Sequence, residues 1–136
     1  MSKGLVQLSR ELLVQAIYQQ LITDTSEKDL IKENKEKLAS VNKSHFKRVL
    51  HYYFENKLNL EELIVQSTSR PIKKIDIIDQ SILFLALAES ASCETPKKVI
   101  INEAVELSRI YGPEDSYRFI NGALDNLKIS EGEKSN

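Results

Sequence analysis

Hydrophobic residues recur along this chain at spacings of three and four, the periodicity of amphipathic helices. No window alternates with period two for long enough to form a strand. The helix predicted fifth is apolar on nearly all sides, so we expect it at the centre of the fold. The pattern predicts seven helices, at about residues 5–22, 27–38, 43–57, 60–69, 75–90, 96–111 and 115–127.

Capping and helix-breaking residues separate these segments. Asn59 is a suitable N-cap for the fourth helix, and Pro71 ends it because the residue before a proline avoids helical geometry. Thr95 supplies a capping hydroxyl for the sixth helix, with Pro96 at its first position. Gly112 then ends that helix.

Length and composition agree with one all-α domain. The chain has 136 residues, the size of a single domain, and its four glycines and three prolines leave few turns. We expect the domain to span residues 1–130, followed by a polar tail at 131–136.

Charge and cysteine content limit the function classes. The 19 basic and 20 acidic residues give a net charge of −1, which neither indicates nor excludes nucleic acid, because phosphates respond to local charge. A single cysteine excludes an intrachain disulfide and is typical of a reducing cytoplasm. No apolar run approaches the ~18 residues of a membrane span, and the N-terminus has no signal-peptide pattern. These features predict a soluble cytoplasmic protein without a membrane partner.

No constellation of residues indicates catalysis. His45 and His51 lie six residues apart, so on a helix they face different directions and form no metal motif. Cys93 has no zinc-binding partner cysteines, and we interpret it as an inert thiol. Nucleotide-binding glycine motifs and a nucleophile elbow are missing from the sequence. We therefore predict a binding protein that is not an enzyme and needs no metal or cofactor.

Polar residues interrupt the apolar faces of the last two helices. Asn102 lies within the sixth helix, and Asn121 and Gly122 lie within the seventh. A buried asparagine needs hydrogen-bond partners, and a glycine costs a helix about 1 kcal/mol relative to alanine. The favoured interpretation is structural: the asparagines tie helix ends together, and Gly122 lets two helices approach closely.

The same region carries a recognisable signature. Residues 101–107 read Ile-Asn-Glu-Ala-Val-Glu-Leu, residues 111–112 Tyr-Gly, residues 114–116 Glu-Asp-Ser, and residues 119–125 Phe-Ile-Asn-Gly-Ala-Leu-Asp. Shorter matches lie in the first and central helices, at residues 10–11, 14–18, 82–83, 86 and 89. Together these segments resemble the NusB family of bacterial transcription antitermination factors, in order and over about residues 8–127, although residues 24–41 carry no match.

The resemblance implies both a fold and a function. The fold would be two perpendicular helical subdomains, three helices at about residues 1–57 and four at 58–130. Family members pair with NusE, a small-subunit ribosomal protein that doubles as a transcription factor. The pair binds boxA sequences in nascent RNA and, within the RNA polymerase antitermination complex, supports read-through in ribosomal RNA operons.

The resemblance also implies which residues contact RNA. In the family this face comprises the N-terminal arm, the first helix and the start of the last helix. Single-stranded RNA is recognised by stacking on aromatic rings and by hydrogen bonds to base edges, for which Tyr18, Phe119 and Asp115 are suited. A core position is an equally good interpretation of Phe119. The matching residues of this chain are Lys3, Arg10, Gln15, Tyr18, Asp115, Ser116, Arg118 and Phe119.

Departures from the family pattern leave alternatives open. The arginine run common before Arg10 is reduced to Lys3, and Phe84 and Ala88 replace a frequent arginine and tyrosine. RNA binding would then depend more on NusE or on another basic patch. Two candidate patches are Lys43, Lys47 and Arg48, and Arg70, Lys73 and Lys74.

Two other functions remain as alternatives. One is a diverged NusB-like scaffold that binds NusE with weak or lost RNA binding. The other is a module related to those of RNA methyltransferases, although 136 residues hold no methyl-donor-binding domain. When alone, the chain could form a homodimer through the apolar patch that otherwise meets its partner.

Overall fold

The computed structural model describes residues 3–127, and this range contains seven α-helices, one 3₁₀ helix and no strand. The all-α prediction is confirmed. The α-helices are α1 (Leu5–Thr23), α2 (Glu27–Glu33), α3 (Lys35–Leu38), α4 (Lys43–Thr68), α5 (Ile77–Ser92), α6 (Lys97–Tyr111) and α7 (Ser116–Asn126), with the 3₁₀ helix Ile72–Lys74 before α5.

Helix α5 is the central element, as its apolar sequence predicts. All ten residues from 81 to 90 are buried, and α5 packs against α1, α4, α6 and α7. The ring of Phe84 meets Tyr53 of α4 edge to face, with 5.2 Å between ring centroids. The Tyr53 hydroxyl donates to the side chain of Gln20, which joins α4 to α1. Full burial of such a side chain stabilises the fold by about 1.5–3 kcal/mol.

The helices number seven as predicted, but two boundaries were wrong. The predicted second helix is split at Asn34, whose side-chain amide donates to the carbonyl of Leu30 at 2.7 Å. The predicted third and fourth helices are one helix, α4, with a kink at Asn56. There the side-chain amide of Asn56 donates to the carbonyl of Tyr52 at 3.0 Å. Such a side-chain hydrogen bond competes with the backbone hydrogen bonds of the helix and bends it. Asn59 is therefore inside a helix rather than at its N-cap.

The kink bears on the predicted division into subdomains. The boundary expected at residues 57–58 falls inside α4, next to Asn56. The two-subdomain arrangement stays a prediction.

Local cap chemistry explains most helix ends. The Ser26 hydroxyl accepts from the backbone N–H of Asp29 at 3.1 Å, which starts α2 where predicted. Helix α4 ends at Ser69, whose φ of 54° is left-handed. The cap predicted at Thr95 is wrong, because its hydroxyl donates to the carboxylate of Glu89 at 2.8 Å and Pro96 is the N-cap.

The structural roles predicted for three polar residues are also wrong. Asn102, Asn121 and Gly122 are all exposed. An added Cβ at Gly122 would meet nothing within 4 Å, so no helix approaches closely there. The buried stripe of α6 consists of Ile100, Ala104 and Leu107. In α7 it consists of Ile120, Ala123 and Leu124, followed by Leu127 directly after the helix.

Replacing Ile82 by aspartate tests the central position of α5. Ile82 is completely buried, so we expect Ile82→Asp to lower the free energy of unfolding by several kcal/mol, because it buries an unpaired charge. Urea denaturation measures the change. The same substitution at Ile22, which is 54% exposed, is the control and should cost less than about 1 kcal/mol. Equal midpoints for the two variants would refute the placement of Ile82.

Candidate nucleic-acid interface

Arg10 is a buried residue, which corrects its prediction as an RNA contact. Its side chain lies in the interior, and the whole residue is 7% exposed. Its Nε and Nη2 atoms donate to the two oxygens of Glu89, both at 2.8 Å, and Nη1 lies 3.4 Å from a carboxylate oxygen of Glu103. A bidentate pair of this kind fixes the guanidinium in one orientation. Arg10 joins α1 to α5 and α6 and contributes no free edge to the surface.

Glu89 is the centre of this buried cluster. Besides Arg10, it accepts a hydrogen bond from Thr95 and lies 3.3 Å from His45 Nε2, a contact without hydrogen-bond alignment. Burial raises the pKa of Glu89, but the hydrogen bonds and charge of Arg10, the nearby His45 ring and the hydrogen bond from Thr95 outweigh it and lower the pKa to about 2. The sequence signal was an acid inside an otherwise apolar helix, which calls for a buried cationic partner.

His45 connects the cluster to the start of α4. Its Nδ1 atom shares a hydrogen bond with the hydroxyl of Ser9 at 2.7 Å. Burial lowers the pKa of the imidazole, but interactions with Cys93 and Glu89 outweigh this effect and raise the pKa to about 9. At neutral pH the ring is therefore charged and forms an ion pair with Glu89.

Ser116 is also buried, so its predicted contact with RNA through the side chain is corrected. It is 4% exposed, and its hydroxyl donates to the carboxylate of Asp79 at the start of α5. Burial raises the pKa of Asp79, and this hydrogen bond opposes the increase. A Cβ at Gly112 would lie 2.6 Å from Ser116 Oγ and 2.8 Å from the carbonyl of Ser108, so only glycine fits. These contacts fix the corner between α6 and α7.

The other predicted residues reach the surface. Lys3, Gln15, Asp115 and Arg118 are exposed, and Tyr18 is half-buried, as expected of a ring that is partly exposed. Lys3 forms an ion pair with Glu11, which raises the pKa of the lysine.

Phe119 fits both interpretations that the sequence left open. Its ring packs against the hydrophobic core and is half-buried. The guanidinium carbon of Arg70 also lies 4.6 Å from the ring centroid. Phe119 is therefore a half-buried core residue whose ring contacts a cation.

The predicted residues divide between the two ends of α5. Arg10 is bound to Glu89 near the C-terminal end, whereas Ser116 is bound to Asp79 near the N-terminal end. Ten residues of helix separate the two acids by about 15 Å. The structure therefore does not bring these two residues together in one site.

An arginine–tyrosine cluster next to these residues was missed by sequence reasoning. The guanidinium carbon of Arg109 lies 4.4 Å from the ring centroid of Tyr117, and that of Arg118 lies 5.5 Å from it. Arg118 Nε also donates to the Tyr117 hydroxyl at 3.0 Å. Arg109 belongs to the last turn of α6, whereas the family resemblance points to the start of α7. Only the corner between the two helices brings Arg109 to Tyr117.

The two alternative basic patches are surface features. Lys43, Lys47 and Arg48 are exposed along the start of α4, and Arg70, Lys73 and Lys74 are exposed between α4 and α5. Within residues 3–127, no helix is long and apolar enough to cross a membrane. The same range holds no group of three or more His, Cys, Asp or Glu side chains arranged to bind a metal ion.

Comparison with known proteins defines the class first. NusB from T. maritima has the same fold, with a TM-score of 0.78 over 99% of this chain and 97% of that one, at 24% identity. The NusB family model matches residues 7–128. Transcription antitermination proteins NusB from Burkholderia vietnamiensis and Burkholderia mallei are 35% and 33% identical, over 93% and 95% of this chain and 90% and 91% of their own lengths. The chain belongs to the NusB family.

The buried cluster predicts a dependence of stability on pH. The pKa of His45 is about 9 in the folded protein and 6.5 in the unfolded chain, so its contribution to stability is complete below pH 6.5. As the pH rises through 9, we expect up to about 3 kcal/mol of the unfolding free energy to be lost. Urea denaturation between pH 6 and 10 measures this loss. In His45→Gln the profile should flatten over the same interval, and parallel profiles for the two proteins would contradict the assignment.

Proposed function

We propose that this chain is a non-catalytic transcription antitermination factor that binds boxA-type single-stranded RNA together with NusE. In the antitermination complex it supports read-through by RNA polymerase in ribosomal RNA operons, in the cytoplasm where nascent RNA is made. The observation that carries the proposal is the match to the NusB family over residues 7–128. The exposed residues at the positions that the family uses for RNA support it.

The chemistry of the exposed residues suits single-stranded RNA. The half-buried ring of Tyr18 is placed to stack on a base, and the exposed carboxylate of Asp115 can accept from a base amino group. Phe119 offers a ring edge beside the guanidinium of Arg70. Base–aromatic stacking contributes about 1–3 kcal/mol per base. These contacts provide base recognition, which leaves the phosphates to be bound by cations.

The N-terminal arm supplies little of that cationic charge. Lys3 is paired with Glu11, and Arg10 is buried on Glu89. Each lost phosphate contact removes about 0.7 from the salt-dependence slope for single strands. We infer that NusE contributes a large part of the affinity for RNA.

Exposed apolar side chains offer contact area for a protein partner. Leu58 is 81% exposed and Leu63 is 41% exposed on the second half of α4, and Ile22 is 54% exposed at the end of α1. Burial of such side chains against a partner is favourable by about 25 cal/mol per Å² of apolar surface. In the absence of NusE, the same groups are available for a homodimer.

The buried Arg10 and the single arm lysine favour one alternative, the diverged scaffold that binds NusE but has lost RNA. The relatives from Burkholderia vietnamiensis and Burkholderia mallei are antitermination proteins, which favours the proposed function over a module of an RNA methyltransferase.

A binding experiment separates these functions. We expect immobilised NusE to retain the protein, and the pair to shift boxA RNA at micromolar concentration or below, with weaker binding by either protein alone. Gel shifts with boxA and with scrambled RNA of equal length measure the specificity. Retained NusE binding with equal affinity for both RNAs would establish the scaffold. Absence of both interactions would refute the proposed function.

Substitutions at the base-reading positions should weaken RNA binding without unfolding the protein. We expect Tyr18→Ala and Asp115→Asn each to reduce boxA affinity of the NusE complex by about 1–3 kcal/mol, the range for one stacked base or one base-edge contact. Thermal melting should change little, because both side chains reach the surface.

Matched controls are available for both substitutions. Tyr52→Ala removes another half-buried tyrosine, and Asp125→Asn removes an exposed aspartate within α7. Neither control should change boxA affinity. A large fall in melting temperature for Tyr18→Ala would instead place Tyr18 in the core.

A further inference from the structure

The arginine–tyrosine cluster lies on a fixed part of the molecule. Arg109 is in the last turn of α6 and Tyr117 is in the first turn of α7, so the corner between these helices brings them together. That corner is held by the close approach at Gly112 and by the hydrogen bond from Ser116 to Asp79. The two arginines are therefore presented by a defined backbone rather than by a loose arm.

The cluster holds two like charges close to one ring. The guanidinium carbons of Arg109 and Arg118 lie 4.4 Å and 5.5 Å from the centroid of Tyr117, so they are at most about 10 Å apart. The screening length in 0.1 M salt is also about 10 Å, so the two charges still repel each other at this separation. Interaction with the ring offsets part of the repulsion. Phosphate groups bound at these guanidiniums would offset more of it.

Few carboxylates of this chain are close enough to neutralise the two guanidiniums. Arg109 has one ion-pair contact, with Glu106 at 3.9 Å, and both side chains are more than half exposed. Among residues 3–127, no carboxylate lies within 4.0 Å of the Arg118 guanidinium. The hydrogen bond to Tyr117 raises the pKa of Arg118, and Asp115 adds only a weaker attraction.

The chemistry of stacked arginine selects the type of anion. An arginine beside an aromatic ring keeps an N–H edge for hydrogen bonds. In Arg118 the Nε–H already donates to the Tyr117 hydroxyl, so its free edge is the one formed by the two Nη groups. That edge matches the oxygens of a phosphate group in two parallel hydrogen bonds. A nucleobase is a poorer ligand here, because the ring of Tyr117 already interacts with two guanidiniums.

We propose that Arg109 and Arg118, held by Tyr117, form a phosphate clamp for the backbone of single-stranded RNA beside Asp115. The clamp rests on the proposed function and supplies phosphate contacts that the N-terminal arm lacks. It extends the RNA surface from the start of α7 to the end of α6. Because phosphate contacts carry no sequence information, the clamp raises affinity for any RNA that reaches it.

The test is RNA binding by the protein with NusE, measured over a series of salt concentrations. For Arg109→Gln we expect the slope of log affinity against log salt to fall by about 0.7, with a loss of about fivefold at 0.1 M salt. Scrambled RNA should lose affinity by the same factor. Tyr117→Ala should match Arg109→Gln, whereas Arg109→Lys should keep the slope and lose part of the affinity, because it keeps the charge without the planar stack.

Lys32→Gln is the control, because Lys32 is an exposed cation of α2 that lies outside every surface considered for RNA. An equal loss in this control would overturn the clamp in favour of a general charge effect. Unchanged affinity and slope in Arg109→Gln, with boxA still bound by the wild type, would refute the clamp alone.

If the wild type and NusE bind no boxA, the proposed function fails, and the clamp is judged separately on oligouridine. Binding of oligouridine that Arg109→Gln weakens would support the clamp there, and no binding or no weakening would refute it. Thermal melting of each variant excludes loss of the fold as the cause.

Discussion

The arrangement of the helices depends on one buried ion pair, between Arg10 and Glu89. The pair joins α1 to the central helix α5, and its neighbours extend the connection to α4 through His45 and to the start of α6 through Thr95. A buried pair of this kind adds little net stability compared with well-packed apolar side chains, because both charges lose their hydration. Losing one partner, however, costs about 3–5 kcal/mol, since the other charge is left uncompensated. The cluster therefore fixes which helix ends meet, while apolar packing around α5 supplies most of the driving force.

This constraint determines where an RNA ligand can be bound. Because Arg10 is bound within the buried cluster, a cation that the family resemblance implied for RNA is not available at the surface. Ser116 is removed in the same way by Asp79. What remains exposed at the α6–α7 corner is an acid, two arginines and two rings, which together provide hydrogen bonding, charge and stacking. The buried contacts thus hold the corner in place, and the exposed residues on it are free to bind.

The sequence predicted the helices well where periodicity was unambiguous. The apolar stripes of α1, α5, α6 and α7 each identify a helix and its buried face. Asparagine was ambiguous, because the same side chain caps a helix start or bends a helix interior. Asn59, predicted as a cap, lies inside α4, and Asn56 bends that helix. Exposure of Asn102 and Asn121 was missed because a polar residue inside an apolar stretch can face either way by a small rotation of the helix.

The candidate site was harder to predict, because burial of a charge depends on partners that are distant in the sequence. Arg10 and Glu89 are 79 residues apart, and Ser116 and Asp79 are 37 apart. Periodicity within one helix contains no information on such pairs. Likewise, Arg109 and Tyr117 belong to different helices, and only the turn at Gly112 brings them into contact. Matching a family motif locates the region of the ligand, whereas the tertiary contacts decide which of its residues are available.

Net charge and local charge must be separated to understand this surface. A chain with a net charge of −1 has no long-range attraction for a polyanion, so RNA binding must come from a few cations in favourable positions. Cations on a flexible arm lose conformational freedom on binding, whereas arginines stacked on a ring lose less. Two arginines held beside one ring at the α6–α7 corner would therefore bind phosphates at a lower entropic cost than mobile ones. Under the proposed function, the loss of the arginine run would change where the phosphates are bound and increase the dependence on NusE.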